Sequence, residues 1–257
     1  MSTGDSPPKY TNPEEYDAEN VWAADDDFYL ELAQEIGGPV LDAGCGTGRL
    51  TRAIATTGLD VTGFDFSPEM LAHARSLSKD LDIEWLQGDV RSMRLGRRFR
   101  LILMTGHGFQ YMLTDGDMSD FFERMREHLL EDGYLAFETR NFAAKTFGGS
   151  EKPTLWRSFQ DDQGRWIDNL VGSRYDPDSG IERLTFERVV RDTNERHRET
   201  STMRYVSVEQ LNSMLRLHGF SFVQQYGDWA RGPLGDNQPE IISICQPSAH
   251  SSDLPSG

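Results

Sequence analysis

Cysteine is scarce in this chain. Cys45 and Cys245 are too few for a disulfide framework, and no Cys/His spacing marks a zinc or other metal site. Long apolar runs are missing too, so no segment reaches the length of a membrane span. The opening MSTGDSPPKYTNPEEY has no basic stretch followed by an apolar one, which argues against a secretory leader and for a cytoplasmic protein. Positive charge is in deficit: 26 Lys and Arg against 42 Asp and Glu leave a net charge of −16. Such a surface repels phosphate backbones and turns the expectation away from DNA or RNA. The same acidity can serve solubility or salt tolerance, so it specifies no cationic substrate. Arg94, Arg97, Arg98 and Arg100 form a basic run without interleaved aromatics, which reads as a solvated loop.

What is present is globular. With 37% apolar and 11% aromatic residues, the 257-residue chain can bury a proper core. Residues 1–13 are polar and proline-bearing and are expected to be mobile. Tyr16, Val21, Trp22, Phe28, Tyr29, Leu32 and Ile36 predict one or two amphipathic helices across residues 14–36. Strand and helix signals then alternate. Strands are expected at 40–42, 60–64, 83–87, 101–104 and 134–138, with helices at 49–57, from Pro68 to about 78, and at 118–130. The alternation predicts an α/β fold with a mostly parallel sheet covered on both faces. After Arg140 the rhythm changes to β-rich segments near 154–160, 165–175, 181–191 and 197–206, separated by Asp-, Gly- and Asn-rich turns. This predicts an antiparallel sheet inserted after the fifth strand, over residues 141–206. A helix at 208–218 and strands at 220–226 and 240–245 return to the core, which is thus expected over 14–140 and 207–246, with a disordered tail at 247–257.

The most informative stretch is 40–49, VLDAGCGTGR. Glycines at a strand-to-helix junction let a ligand approach the backbone, and the helix N-terminus behind them suits a carboxylate or phosphate. A dinucleotide loop would need glycine at position 49, where Arg49 stands, and a phosphate-binding loop would need Lys there. In what remains, Asp42 can answer an ammonium while the loop answers a carboxylate, the two charges of an amino acid. Asp65 ends the next strand, about 20 residues on, where a carboxylate can accept from a ribose diol. Asp89 follows the third strand, where an acid can accept from an adenine amino group while the next backbone N–H donates to the ring. Each acid alone could equally cap a helix. All three at the C-terminal ends of successive strands point to one ligand crevice.

VLDAGCGTGRLT (40–51), VTGFDFSPEML (61–71) and LQGDVR (86–91) resemble the first three motifs of class I S-adenosylmethionine (SAM)-dependent methyltransferases. FRLILMTGHGFQYMLT (99–114) and LLEDGYLAFE (129–138) look like their fourth and fifth strands. The inserted sheet and GFSFVQQYGDW (219–229) are similar to bacterial small-molecule methyltransferases, including amino-sugar N-methyltransferases. The resemblance implies a Rossmann-like sheet with an antiparallel last strand, SAM as cofactor, S-adenosylhomocysteine as product and no metal. It also implies contacts of Gly44 and Gly46 with the methionine part, of Asp65 with ribose and of Asp89 and Val90 with adenine, with Phe66 and Thr105 beside them. Tyr16 is then expected to close over the cofactor.

Methyl transfer needs alignment of a nucleophile, exclusion of water and, for some acceptors, removal of a proton. His107, flanked by glycines after the fourth strand, is the candidate base; a cofactor contact or a turn cap is the other reading. Tyr111, Glu138, Arg140, Trp156 and Tyr226 are the candidate acceptor-binding residues. Arg140 could hold a carboxylate or pair with Glu138. Tyr226 and its neighbours could line the pocket or serve a turn. Trp156 in the insert could form a substrate wall, a homodimer face or ordinary packing. The leading expectation is methyl transfer to N or O of a small metabolite. A SAM-binding regulatory protein, a methyltransferase of protein substrates and a nucleotide-dependent oxidoreductase, disfavoured by Arg49, are the alternatives.

Overall fold

The structure, a computed structural model, describes residues 12–145, 150–161 and 163–248. In chain order it runs α1 (Pro13–Glu19), α2 (Ala24–Ile36), β1 (Val40–Ala43), α3 (Arg49–Thr56), β2 (Val61–Asp65), α4 (Pro68–Ser76), β3 (Glu84–Gln87) and β4 (Phe99–Met104). A 3-10 turn (Gly108–Tyr111), α5 (Asp115–His128) and β5 (Leu129–Arg140) follow. Then come β6 (Thr154–Gln160), β7 (Trp166–Asp176), β8 (Ile181–Val190), β9 (Arg196–Arg204), α6 (Val208–Leu217), β10 (Phe220–Tyr226) and β11 (Glu240–Pro247).

Seven strands form one sheet in the order β10-β11-β5-β4-β1-β2-β3, parallel except for β11, which runs antiparallel to both neighbours. The alternating side chains of its buried strands feed two separate cores. Val40, Leu101, Leu103, Ala136 and Ile242 meet Phe28, Tyr29 and Leu32 of α2 and Ile54 of α3 on one face. Leu41, Ile102, Leu135, Phe137 and Ile241 meet Phe121, Phe122 and Met125 of α5 and Leu211 and Leu215 of α6 on the other. Because β1 lies between β2 and β4, the connections diverge there, and the sheet opens a crevice at the carboxyl ends of β1 and β4.

The expected inserted sheet is present, with strand order β6-β7-β8-β9 and antiparallel hairpins throughout. Its turns form at the Asp- and Gly-rich sites: Asp161 Oδ1 accepts from the backbone N of Gln163 and Arg165, and Asp176 Oδ1 accepts from that of Asp178. The insert packs on α1 and on the turn after β4, so it stands at the same carboxyl edge as the crevice.

The largest boundary differences from the sequence reading fall at α5 and β5. Helix α5 begins at Asp115 rather than 118, because Thr114 and Asp117 form a reciprocal capping box, with Asp117 N to Thr114 Oγ1 at 3.0 Å and Thr114 N to Asp117 Oδ2 at 2.9 Å. It ends at His128, and Leu129 already belongs to β5. The expected mobile start and disordered tail lie mostly outside the described residues; within them, Asn12 caps α1 and β11 runs on to Pro247. Among the described residues no helix is long and apolar enough to cross a membrane, and no cluster of His, Cys, Asp and Glu is placed to hold a metal. Both cysteines are free.

Candidate active site

The loop after β1 is held open by its own backbone. The N–H groups of Gly44 and Cys45 donate to the Phe64 carbonyl at 2.7 and 3.1 Å, which ties the loop to the end of β2. Gly46 has a φ of 55° and open space where a Cβ would sit, so the chain leaves room there for a ligand. Gly48 does something else. A Cβ on it would lie 2.2 Å from the Trp85 ring, so this glycine lets the indole pack under the loop.

Asp42 lies buried at the end of β1. One carboxylate oxygen accepts from Thr51 Oγ1 at 2.6 Å; the other, Oδ1, has no partner. Burial pushes its pKa up to about 7, opposed by the Thr51 hydrogen bond and helped by the charges of Asp65 and Asp26. Asp65, 7% exposed, accepts from Gly46 N at 2.8 Å and from Ser67 N at 2.8 Å. Burial raises its pKa while those backbone donors pull it down. The backbone N–H of Phe66 is a third donor to this carboxylate. Asp89 is more exposed and is gripped by Arg91, whose Nε sits 2.9 and 3.1 Å from its two oxygens, and this contact holds the carboxyl below its usual range. Arg91 also reaches Asp117 of α5 at 2.6 Å, so the loop after β3 is braced against that helix. Val90 packs on the adjoining core, Phe66 is exposed beside Asp65, and Thr105 follows β4 with its carbonyl accepting from Gly108 N at 3.2 Å.

Tyr16 on α1 lies among Arg49, Tyr111, Asp65 and Asp17, and burial pushes its phenol up to about 12. Asp42 lies in β1, Asp65 ends the neighbouring β2, Asp89 follows β3, and Tyr16 stands near Asp65. An orphaned buried carboxylate oxygen, a glycine with open space and a buried acid twenty-odd residues on fit an amino acid joined to a nucleoside.

Beyond β4 a second cluster forms. His107, in the left-handed region at φ 59°, donates its backbone N–H to Glu138 Oε1 at 2.7 Å. Its ring Nε2 lies 2.9 Å from Glu240 Oε2 at the start of β11. The Tyr29 hydroxyl from α2 donates to the other oxygen of Glu138. Glu138 is buried, and burial raises its pKa against the pull of His107 and Tyr29. Arg140 does not pair with Glu138; its NH1 donates to Gln110 Oε1 at 3.0 Å and approaches Met203 Sδ at 3.7 Å. Nearby, Lys145 bonds Glu182 at 2.5 Å and the Tyr205 hydroxyl, both on the insert side. The Tyr111 hydroxyl accepts from Ser201 Oγ at 3.3 Å.

Two candidates lie elsewhere. Tyr226 packs edge-on against Phe28, 6.0 Å between centroids, in a cluster with Trp229, and Asp228 closes a turn by accepting from Ala230 N and Gly232 N. Trp156 is 59% exposed on the edge strand β6, its ring under the Arg157 guanidinium. In the basic run, Arg97 pairs with Asp60 and Arg100 with Asp132. Sequence reading missed Glu240, Gln110, Asp17 and Lys145, and did not join Tyr29 to Glu138. No periodicity marks these residues, because each meets its partner only through the fold.

Residues 40–133 match the family described as Methyltransferase domain. The protein YqeM of Bacillus subtilis (strain 168) is 27% identical over 226 residues, 84% of each chain. The dTDP-3-amino-3,6-dideoxy-alpha-D-glucopyranose N,N-dimethyltransferase of Streptomyces fradiae is 32% identical over 99 residues, only 38% of each chain. The CcbJ methyltransferase of Streptomyces caelestis shares the fold with a TM-score of 0.82 at 17% identity, over 96% of this chain and 100% of that one. The two findings agree: residues 40–133 match a methyltransferase domain, and the fold of the chain is the Rossmann-like one of the class I methyltransferases.

Proposed function

We propose that the chain binds SAM across the glycine loop, Asp65 and Asp89, and transfers its methyl group to nitrogen or oxygen of a small, anionic metabolite. The observation that carries the cofactor half is the buried, unpartnered Oδ1 of Asp42 beneath a loop with room for a ligand. In this reading Asp42 receives an ammonium, Gly44 and Gly46 flank the carboxylate end, Asp65 accepts from the ribose, and Asp89 with Val90 meets the base. Phe66 and Thr105 border the same ligand, and Tyr16 covers it from α1.

SAM, when bound, supplies the electrophilic methyl on its sulfonium. The protein's own part is alignment and proton control. When Nε2–H of His107 donates to Glu240, the lone pair is left on Nδ1, the tautomer in which the ring takes a proton from the acceptor. Tyr29 and His107 N–H both donate to Glu138, which fixes the backbone that carries the ring. Arg140, whose partners among the described residues are the neutral Gln110 and Met203, supports an acceptor with a carboxylate or comparable anion. Tyr111 borders this space, and Trp156 would join it only from the insert's outer edge. The Streptomyces fradiae relative acts, by its name, on an amino sugar, which supports a small-molecule acceptor.

The acidic surface supports a function away from nucleic acid and membrane, and the two free cysteines suit the cytoplasm. A homodimer through the insert belongs to the same proposal. Calorimetry with S-adenosylhomocysteine, NAD and NADP tests the cofactor. Labelled-methyl turnover over a panel of anionic and neutral amines and alcohols tests the acceptor. Tight NAD binding with none for the thioether nucleoside would end the proposal.

A further inference from the structure

Helix α1 has only seven residues, too few to hold its shape and place unaided in water. Two seams hold it. On the cofactor side, Asp17 Oδ1 accepts from Thr47 Oγ1 of the glycine loop at 2.6 Å, and Asp17 Oδ2 sits 3.2 Å from His73 Nε2 of α4. Arg49 adds a bond to the Asn20 carbonyl just past the helix, and Tyr16 is on this side.

The other seam faces the inserted sheet, and every strand of that sheet contributes to it. Glu15 and Glu19, at i and i+4, share one face of the helix. Arg188 of β8 places Nε 2.9 Å from Glu19 Oε1 and NH1 3.1 Å from Glu15 Oε2. Asn169 of β7 donates to Glu19 Oε1 at 3.1 Å. Arg157 of β6 donates to the Glu19 carbonyl at 3.0 Å and to Oε2 at 3.2 Å. Glu199 of β9 steadies Arg188 from behind at 3.4 Å. Glu19, Arg188 and Glu199 are all buried, so removing one partner leaves a charge stranded away from water.

We propose that Arg188 is a positioning residue for the cofactor site: acting through Glu19, it holds α1 so that Tyr16 and Asp17 close on the glycine loop. The insert, through Arg188, 140 residues along the chain from Gly48, then contributes to cofactor affinity without touching the cofactor. The seam is built to hold rather than to seal. Arg157 Nε, Asn169 Oδ1 and Glu199 Oε2 are buried there with no hydrogen-bond partner, and a partly satisfied polar seam opens at lower cost than an apolar one. A cap that must admit a ligand and then return needs that property.

The inference rests on the crevice being the SAM site, and the test separates the two. Arg188→Met and Glu19→Gln are compared with wild type for S-adenosylhomocysteine affinity by calorimetry, for amide exchange and for Tm. Arg157→Met with Glu15→Gln, at less buried positions, decides the matter if the first variants do not fold. The dissociation constant is expected to rise about tenfold, as when a docked cap falls to about a tenth of the population. Exchange should quicken across residues 13–20 and stay unchanged in β1 and β2. The double variant Arg188→Met/Glu19→Gln should bind no worse than the weaker single, since both break one linkage. Unchanged affinity in the folded variants overturns the proposal, and so does weaker binding accompanied by faster exchange in β1 and β2. A wild-type protein that does not bind the nucleoside overturns the site reading as well. Binding that is lost in Asp65→Ala yet kept in Arg188→Met overturns the positioning role alone.

Discussion

His107 and Glu240 stand 133 residues apart in the chain and meet at 2.9 Å, ring nitrogen to carboxylate. The strand that brings Glu240 there is the antiparallel one, β11, whose first residue pairs in register with Arg140 of β5. If this pair prepares the base, His107→Ala lowers turnover by roughly 10²–10⁴-fold at saturating substrate. Glu240→Gln should give a smaller loss in kcat with little change in KM, because the amide can still contact the ring but no longer selects its tautomer. Labelled-methyl assays at saturating SAM measure both, and full turnover by His107→Ala removes the ring from the chemistry.

If Asp42 receives the ammonium, as proposed, cofactor binding depends on pH with a definite sign. Its carboxyl is pushed up to about 7 in the ligand-free protein, and only the ionised form pairs with an ammonium. Above that pH the site is already charged; below it, binding must first expel a proton. The dissociation constant of S-adenosylhomocysteine should therefore rise as pH falls from about 7.5 to 5.5, by up to about tenfold per unit. Calorimetry across that range reads the slope. Asp42→Asn should bind more weakly and show a flat profile; a flat wild-type profile contradicts the assignment.

Asp65 restrains the loop through Gly46 N–H and, in the proposed site, also accepts from the ribose. Asp65→Ala is expected to weaken nucleoside binding by about 1–3 kcal/mol, the scale of a lost charge-assisted hydrogen-bond pair. An unaltered dissociation constant would take the residue out of the site.

Arg140 tests the acceptor. Arg140→Met should raise KM for carboxylate-bearing acceptors and leave neutral ones nearly unchanged, with SAM affinity preserved. Equal effects across both groups of acceptors would speak against anion recognition.

Gly48 tests the floor of the loop rather than its chemistry. It has a φ of 72°, and a Cβ would meet the Trp85 ring at 2.2 Å. Gly48→Ala should cost about 2–4 kcal/mol in urea unfolding, combining left-handed backbone strain with overpacking. A loss below about 1 kcal/mol would mean that the indole moves aside easily.

Much of the fold was legible because its signals are local. Ser67 before Pro68 marks the start of α4, and its side chain does accept from Met70 N. The Asp- and Gly-rich turns place the hairpins of the insert to within a residue or two. Helix α5 was misplaced at its start for the opposite reason: apolar periodicity begins at Met118, while the first turn is polar and rests on one capping box.

The strand-to-helix rhythm, the glycine turn and the order of the acids follow from backbone geometry and from spacing within a few turns of chain, so the amino-acid order alone defines the class of fold and places the acids along one edge of the sheet. Partners that meet across the sheet leave no such trace. Tyr29 finds Glu138, Glu240 finds His107 and Arg188 finds Glu19 across separations of 109, 133 and 169 residues, and nothing in the local pattern around any of them requires the other. Those pairings were settled by how β11 slots beside β5 and how the insert folds back on α1, since a charge taken out of water must find its complement wherever packing brings one near.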